Sequence, residues 1–447
     1  MHGDERPETT RRVGDEHQLL VPARRHRVGD GIHGPDPNEQ PSVPERADAR
    51  PATDLDRHGD QNVPVHKTRL VALVAVTLAL GAAASACSGG EDDSSQPPEP
   101  TTTTTVPVTT TTTAPAATDI YANTRAGMLA PSVRDIPPRV YVPNGHSSTV
   151  SVIDPTTMSV VDTYPVGRLP QHVVPSYDMQ TLYVNNNQGN SLTPIDPRTG
   201  KPGTEIPVDD PYNLYFSPDG KYALVMAERE QRIDVRDPNT WALVTSISVP
   251  HPGVNHADFT ADGTTMLASC EFSGWVVRID LGTFAITGEL EVGGEPIDVR
   301  LSPDGAVFYV ANHVKDGGGV SIVDPATMTE AAFVPTGAGA HGLYPSRDGK
   351  QLYITNRGAG SVTVLDFATR SPVDTWTIDG GGSPDMGGVS ADGTQFWVSG
   401  RYDDVVYVFD TVAGGLLAKI PVGHGPHGLA VFPQPGRFSL GHTGNYR

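Results

Sequence analysis

Cysteine, basic side chains and long apolar segments are all scarce in this sequence of 447 residues. Its two cysteines, Cys87 and Cys270, can form at most one disulfide bond. Only one apolar stretch is long enough to consider as a membrane span, which excludes a polytopic membrane protein. The 32 basic residues are outnumbered by 52 acidic ones, and a net charge of −20 repels phosphate backbones, so we expect no nucleic-acid partner.

Glycine and proline are abundant by comparison, with 48 and 41 residues. Charged residues make up 19% and aromatic residues 6% of the chain. This composition excludes a coiled coil, which needs a high content of Ala, Glu, Lys, Leu and Arg arranged in heptads. The length is sufficient for one large all-β domain or for two ordinary domains.

The first 118 residues have the character of a delivery segment. Residues 1–65 are polar and lack an apolar period, so we expect them to be disordered or to precede the true translation start. Residues 66–86 combine a basic flank, a 17-residue apolar run and a small-residue end, which fits a secretory signal peptide. Residues 87–118 contain a Thr/Pro tract that cannot bury a core, and we expect an extended spacer.

The end of the apolar run carries a further signal. Ala84-Ser85-Ala86-Cys87 resembles the lipobox of bacterial lipoproteins, in which the cysteine is diacylated and becomes the mature N-terminus. The resemblance implies lipidation of Cys87 and an extracytoplasmic protein that is anchored to the cell membrane. The alternative is an ordinary cleaved signal that leaves this cysteine as a free thiol.

The remainder of the chain is an internal repeat. Seven short apolar strands each end in an aspartate, at Asp154, Asp196, Asp237, Asp280, Asp324, Asp366 and Asp410. Successive aspartates are separated by 42, 41, 43, 44, 42 and 44 residues. A period of about 40–50 residues with only short apolar runs is typical of propeller blades.

Each unit contains four predicted strands, here called strands a to d from the inner to the outer edge of a blade. Asp-Gly turns such as Asp219-Gly220 join strands a and b, because Asp-Gly between alternating apolar runs favours a hairpin. The first unit begins with strand b at Arg139, whereas the last clear strand, 428–432, is a strand a. One blade should therefore combine a C-terminal inner strand with three N-terminal strands.

The sequence thus predicts an all-β, seven-bladed β-propeller of four-stranded blades over residues 138–433, closed by this C-terminal inner strand. We expect residues 119–137 to form a lead-in segment. We expect residues 434–447 to form a C-terminal tail that packs on the propeller.

Four strand-b segments share a short motif: Tyr141-Val142-Pro143-Asn144, Tyr183-Val184-Asn185-Asn186, Tyr309-Val310-Ala311-Asn312 and Tyr353-Ile354-Thr355-Asn356. They resemble the Tyr-Val-Thr-Asn signature of YVTN-type propeller repeats, in a bacterial lipoprotein form. The resemblance implies the propeller fold. It does not define a function, because similar propellers include lipoprotein repeats, streptogramin lyases, sugar lactonases and copper- or haem-binding reductase domains.

The predicted strand order places the start of strand a and the end of strand b at one mouth of the central channel. Every unit has a polar residue at the start of strand a: His172, Asn213, His256, Asp298, His341, Asp385 and His427. Positions just past strand b add Glu271, Arg357 and Arg401. The opposite face carries Asp-Gly and Asp-Pro turns, whose aspartates are structural. We therefore expect a ligand-binding site at the polar mouth.

Four of these residues are histidines at one repeat position, and neutral imidazole is the commonest metal ligand in proteins. We expect copper or zinc to bind His172, His427 and His256, with help from the carboxylate of Asp385 or Asp298. The alternative is that each histidine forms a hydrogen bond with the neighbouring blade. No HExxH or CxxC motif supports metal binding.

Arg357 and Arg401 occupy the same position in adjacent units, and paired guanidinium groups suit a carboxylate or a phosphate. The alternative is an ion pair with an acidic residue of the same rim.

Cys270 ends a strand, where a lone cysteine is more often a small buried side chain than a ligand or nucleophile.

The predicted function is that of a monomeric cell-surface protein that binds a small anionic ligand or a metal ion at the polar mouth. An alternative is a metal-assisted enzyme of the lyase, lactonase or oxidoreductase class that uses the same mouth. A further alternative is a scaffold for protein–protein interaction on the outer blade surfaces.

Overall fold

The structure is a computed structural model that describes residues 119–442 and 444–447. The N-terminal extension, the signal peptide, Cys87 and the Thr/Pro spacer lie outside the described residues. In the described part of the chain, we find no helix with the length and apolar character of a membrane span.

Seven antiparallel sheets form the blades of a propeller. Blade 1 contains β1 (Arg139–Asn144), β2 (Thr149–Asp154), β3 (Ser159–Pro165) and β29 (Ala430–Phe432). Blade 2 contains β4 (Pro170–Pro175), β5 (Leu182–Asn186), β6 (Ser191–Asp196), β7 (Lys201–Pro202) and β8 (Ile206–Pro207). Blade 3 contains β9 (Pro211–Phe216), β10 (Ala223–Ala227), β11 (Arg232–Arg236) and β12 (Leu243–Ser248).

The other four blades repeat the same order of strands. Blade 4 contains β13 (Val254–Phe259), β14 (Thr265–Cys270), β15 (Trp275–Asp280) and β16 (Ala285–Glu291). Blade 5 contains β17 (Pro296–Leu301), β18 (Phe308–Asn312), β19 (Gly319–Asp324) and β20 (Thr329–Pro335). Blade 6 contains β21 (Ala340–Pro345), β22 (Gln351–Asn356), β23 (Ser361–Asp366) and β24 (Ser371–Thr377), and blade 7 contains β25 (Pro384–Val389), β26 (Gln395–Gly400), β27 (Val405–Asp410) and β28 (Leu416–Pro421).

Two short 3-10 helices complete the regular structure of the described residues, at Glu271–Ser273 and Lys315–Gly317. The seven-bladed, four-stranded architecture confirms the predicted fold class. Blade 2 differs in detail, because its outer strand is divided into β7 and β8. Each of these segments ends in a proline, Pro202 or Pro207, which cannot donate a backbone hydrogen bond to a ladder.

The a–b turns are built by their own polar side chains. In blade 3, Ser217 Oγ donates a hydrogen bond of 2.7 Å to Asp219 Oδ1, and the backbone N–H of Lys221 donates one of 3.2 Å to the same oxygen. Gly220 follows with a φ of +71°, in the left-handed region that favours glycine. These contacts account for the aspartates on this face of the propeller without a ligand.

Burial falls from the inner to the outer edge of each blade. The inner strands β4 and β9 are buried along their whole length, whereas most of the outer strand β3 is exposed. Apolar side chains of neighbouring sheets pack between the blades, and Trp397 is the largest fully buried side chain of the described residues. Polar side chains on the inner strands are therefore enclosed by the core around the channel.

The ring is closed by β29, which pairs antiparallel with β1 and places Val431 opposite Val140. Phe432 is 1% exposed and packs in a cluster with Tyr141 and Val150 of blade 1. A C-terminal inner strand thus joins three N-terminal strands, as the sequence predicts. No free edge remains at the inner side of β1.

Both terminal segments lie against the face that carries the a–b turns. In the lead-in, the Tyr121 hydroxyl donates a hydrogen bond of 2.8 Å to the carbonyl of Leu301, at the end of the inner strand of blade 5. In the tail, the backbone N–H of Ser439 donates to the carbonyl of Tyr177 at 3.0 Å, and Leu440 is buried in the interblade core. The tail then continues into the channel.

Replacing Phe432 with alanine tests the closing strand. We expect Phe432→Ala to lower the free energy of unfolding by about 3–5 kcal/mol, because it opens a cavity at the junction of the two chain ends. Phe272→Ala is the matched control, because that side chain is 63% exposed and its loss should cost less than about 0.5 kcal/mol. Equal effects of the two changes in denaturant unfolding would contradict the role of β29 in closure.

Candidate functional site

The inner strands bring one polar side chain from each blade to the channel axis. These are the residues that the repeat predicts, and all of them are at most 3% exposed: His172, Asn213, His256, Asp298, His341, Asp385 and His427. The ring centroids of His172 and His427 are 4.8 Å apart, and those of His172 and His256 are 5.4 Å apart. The residues therefore lie close together in one buried polar core.

The tail supplies a further histidine. His442 is fully buried, and its ring centroid lies 5.3 Å from that of His172 and 5.0 Å from that of His256. Asn213 Nδ2 contacts His442 Nδ1 at 3.0 Å, and His442 Nε2 lies 3.5 Å from a carboxylate oxygen of Asp298. The ligand atoms of His172, His256 and His442, here called the triple-histidine cluster, lie within 4.8 Å of one another.

Hydrogen bonds fix the tautomers of two histidines in this cluster. His172 Nδ1 lies 3.0 Å from the backbone carbonyl of Tyr212, which can only accept, so Nδ1 carries the proton. His256 Nδ1 lies 2.9 Å from Asn255 Oδ1. Asn255 uses its Nδ2 to donate to the carboxylate of Glu228 at 3.0 Å, so its oxygen is the acceptor for His256. The Nε2 atoms of both histidines therefore carry lone pairs.

These Nε2 atoms of His172 and His256 are buried and have no hydrogen-bond partner among the described residues. A buried polar atom without a partner costs roughly 1–3 kcal/mol. Burial lowers the pKa of both imidazoles well below the usual value, and nearby histidines lower it further, so both are neutral near pH 7. Neutral imidazoles with a free Nε2 and a hydrogen-bonded Nδ1 are in the form that binds metal ions.

His341, Asp385 and His427 form a second group, here called the carboxylate–histidine cluster, whose ligand atoms also lie within 4.8 Å of one another. His427 Nδ1 lies 2.6 Å from one carboxylate oxygen of Asp385, and His341 Nε2 lies 2.8 Å from the other. Arg357 Nη1 is 3.3 Å from that second oxygen. His341 Nδ1 has no hydrogen-bond partner among the described residues.

The charges of the second cluster are balanced within it. Burial alone would raise the pKa of Asp385, but His341, His427 and Arg357 hold it well below the usual value. Burial lowers the pKa of His341 to about 3, against the opposing effect of Asp385, so this imidazole is neutral. The carboxylate is therefore ionised and is compensated by the guanidinium group.

Asp298 has a structural role as well. It accepts backbone hydrogen bonds of 2.9 Å from Val299 and 2.8 Å from Leu343 of the next blade. Arg300 Nη2 lies 3.5 Å from its second oxygen. Burial raises the pKa of Asp298, but His442 and Arg300 lower it more, so the carboxylate is ionised. Asp298 thus forms a hydrogen bond to the neighbouring blade. The histidines make contacts of this kind too, as the alternative interpretation of the sequence expects, because His172 contacts the carbonyl of Tyr212 in blade 3, and both His341 and His427 contact Asp385 of blade 7.

The rim above the clusters joins acidic and basic groups. Asn255 Nδ2 donates to Glu271 at 2.5 Å as well as to Glu228, which brings the two carboxyl groups together. Burial, followed by the charge of Glu271, raises the pKa of Glu228 well above the usual value. The predicted pair of arginines is engaged by the protein, because Arg357 contacts Asp385 and Arg401 Nη1 donates to the carbonyl of Gly425 at 3.3 Å.

The structure divides the three predicted metal ligands between the two clusters. His172 and His256 belong to the triple-histidine cluster together with His442. His427 belongs to the other cluster, where its Nδ1 contacts the carboxylate of Asp385. Cys270 is buried in the interblade core, and burial raises the pKa of its thiol to about 12, so it is an unreactive core side chain.

Glu228 gives a prediction about pH. When the pKa of a carboxyl group is raised in the folded state, the free energy of unfolding of the protein falls as the pH rises through that pKa. Glu228→Gln keeps an oxygen for Asn255 but cannot ionise, so its stability relative to wild type should increase by about 1 kcal/mol or more between pH 4.5 and pH 8. Denaturant unfolding at both pH values measures this.

The matched control is Glu230→Gln, because the side chain of Glu230 is 55% exposed. The effect of Glu228→Gln on stability should depend on pH more strongly than the effect of this control. An effect of Glu228→Gln that does not depend on pH would show that the buried carboxyl has an ordinary pKa.

Comparisons with known proteins place this geometry in context. The chain is similar to hydrazine synthase from Kuenenia stuttgartiensis, with 22% identity, a TM-score of 0.53 and coverage of 62% of this chain and 97% of that one. It is similar to a functionally unknown protein from Desulfotomaculum acetoxidans DSM 771, with 17% identity, a TM-score of 0.55 and coverage of 64% and 98%. It is also similar to the dihydro-heme d1 dehydrogenase NirN in complex with DHE, with 16% identity, a TM-score of 0.52 and coverage of 68% and 77%.

At these identities the likeness concerns the fold alone. No curated protein matches the sequence. The model of one family, described as the YNCE-like beta-propeller, matches residues 113–436, which include all seven blades. The chain therefore belongs to the YNCE-like beta-propeller family.

Proposed function

We propose that the protein binds a divalent transition-metal ion in its central channel, at the triple-histidine cluster. One observation carries the proposal: among the described residues the buried Nε2 atoms of His172 and His256 have no partner, and each histidine donates its Nδ1 proton to a fixed acceptor. Both belong to a cluster whose ligand atoms lie within 4.8 Å of one another. Metal-binding histidines typically show this arrangement, because the second hydrogen bond orients the ring. An apolar core would need none of these polar groups.

His442 completes the ligand set from the tail. Its two ring nitrogens contact Asn213 and Asp298, so an ion would replace one of these contacts when it binds. Three imidazoles suit copper and zinc, which accept nitrogen ligands readily and can retain an open position for another ligand.

The charge balance favours an anion as that further ligand. Asp298 is compensated by Arg300 and Asp385 by Arg357, so these two carboxylates do not offset the two positive charges of a bound ion. A small anion that enters through the polar mouth would supply the missing negative charge. The proposed ligands are thus a metal ion and a small anion bound to it.

We also propose that the protein is a lipoprotein held at the outer side of the cell membrane through Cys87. The support comes from sequence, where an apolar run is followed by Ala84-Ser85-Ala86-Cys87 and then by a Thr/Pro-rich spacer. In such a position the propeller meets metal ions and small anions from outside the cell.

Calorimetric titration of the untagged protein with Cu²⁺ or Zn²⁺ tests the metal site. His256→Gln should weaken the affinity of this site by about 100-fold or more, because it removes one of three ligands. Metal at 100 times its dissociation constant should stabilise wild type by about 2.7 kcal/mol. The control is His424→Gln, since that side chain is 68% exposed and lies outside both clusters.

Unfolding of each metal-free variant shows whether the substitution has damaged the fold itself. A wild-type protein whose unfolding midpoint does not move in excess Cu²⁺ or Zn²⁺ would refute the proposed function.

Replacing Cys87 tests the anchor. Cys87→Ser should move the protein from the detergent phase to the aqueous phase in a detergent-partition experiment, and mass spectrometry should show the loss of the acyl groups. Cys270→Ser is the matched control, because that cysteine lies in the propeller core and should not affect partitioning. Recovery of the wild-type protein in the aqueous phase without acyl groups would contradict lipidation.

A further inference from the structure

We propose that the channel binds a second metal ion at the carboxylate–histidine cluster, so that the two clusters together form a two-metal centre. The inference rests on the proposed function, which assigns the first ion to the triple-histidine cluster.

The donor set of the second cluster fits a divalent metal ion. His341, Asp385 and His427 offer two imidazoles and one carboxylate within 4.8 Å of one another. This combination binds zinc and other divalent first-row ions and leaves coordination positions for further ligands. Its carboxylate makes it a harder site than the triple-histidine cluster, so the two sites should differ in their metal preference.

An ion pair alone does not explain this cluster. Asp385 is compensated by Arg357 at 3.3 Å and accepts a hydrogen bond from His427 at 2.6 Å. His341 is a second buried imidazole at 3% exposure. Neither of its ring nitrogens forms a well-oriented hydrogen bond with the described residues, although Nε2 lies 2.8 Å from an oxygen of Asp385. A buried nitrogen without a partner costs free energy, and a bound ion in this cluster would use the lone pairs that the fold leaves available.

The two clusters are close enough for their ions to interact. His427 of one cluster and His172 of the other have ring centroids 4.8 Å apart, which is van der Waals contact. Two dications in a buried channel repel each other strongly, and an anion shared between them relieves the repulsion. Paired metal ions that hold one oxyanion between them are a common arrangement in hydrolytic and phosphoryl-transfer sites. The centre therefore favours a small oxyanion over a neutral molecule.

The experiment measures bound Zn²⁺ per chain by elemental analysis after equilibrium dialysis of the untagged protein. We expect two ions for wild type, one for His256→Gln, one for His341→Gln and none for the double variant. Asp385→Asn provides a second way to remove the second site and should also leave one ion. Circular dichroism and the unfolding midpoint of the metal-free proteins identify any variant that does not fold, and the other second-site variant then decides.

Each other stoichiometry has a distinct meaning. One ion in wild type that is lost in His256→Gln and retained in His341→Gln refutes the second site and leaves the proposed function intact. One ion in wild type that is absent from both His256→Gln and His341→Gln shows a single shared site, and it also refutes a two-metal centre. One ion that is lost only in His341→Gln overturns the assignment of the first site. No ion in wild type overturns the proposed function and this inference together.

Electron paramagnetic resonance of the Cu²⁺-loaded protein gives an independent measurement. Two copper ions in adjacent clusters should couple, so wild type with two equivalents should give less than two spins of signal or a broadened spectrum. His341→Gln and His256→Gln should each give a mononuclear signal of one spin. Two full, uncoupled signals in wild type would show that the ions occupy distant positions and would overturn the inference.

Discussion

The inner strands of seven blades share one narrow axis, and every polar side chain at that axis must find its partners among the others. The seven residues that the blades contribute are at most 3% exposed, so bulk solvent does not reach them and they depend on partners within the channel. Most of the cluster obeys this constraint. Asp298 binds two backbone N–H groups, and Asp385 contacts two histidines and an arginine. The exceptions are nitrogen atoms of His172, His256 and His341, and they define the proposed metal sites.

The same constraint separates structural polar groups from those that are available to a ligand. Asp298 connects two blades through the backbone of Leu343, so its carboxylate has a structural role whether or not a ligand binds. Within the part of the chain that the structure describes, His256 Nε2 contacts no hydrogen-bond partner, whereas Asn255 and Glu228 hold the other nitrogen in a fixed chain of hydrogen bonds. A buried imidazole that is held in one orientation but has a nitrogen without a described partner lowers the free energy of unfolding. An apolar residue at this position would avoid the desolvation.

Features that follow the repeat could be predicted from the sequence, and features that break it could not. The 42-residue period locates the blades, the closing strand and the seven axial residues, because equivalent positions in successive blades must occupy equivalent places. His442 lies after the last repeat, and nothing in its spacing indicates that the tail enters the channel. Tyr212 and Asn255, which fix two tautomers, stand next to axial positions and depend on local register. The contact of Arg357 with Asp385 joins different blades, and the sequence offers such an ion pair only as an alternative to a site for an anion, because no local pattern decides between the two.

The C-terminal stretch links the site to the closure of the ring. His427 precedes β29, which completes blade 1, and His442 follows it within the tail. Residues 427–442 thus supply the closing strand and one histidine to each cluster. A chain that has not closed its ring lacks both of these ligands. An ion bound to either cluster would consequently stabilise the closed ring over the open chain by mass action, since only the closed state assembles the complete donor set. Binding of the proposed ions and closure of the propeller would therefore be parts of one equilibrium.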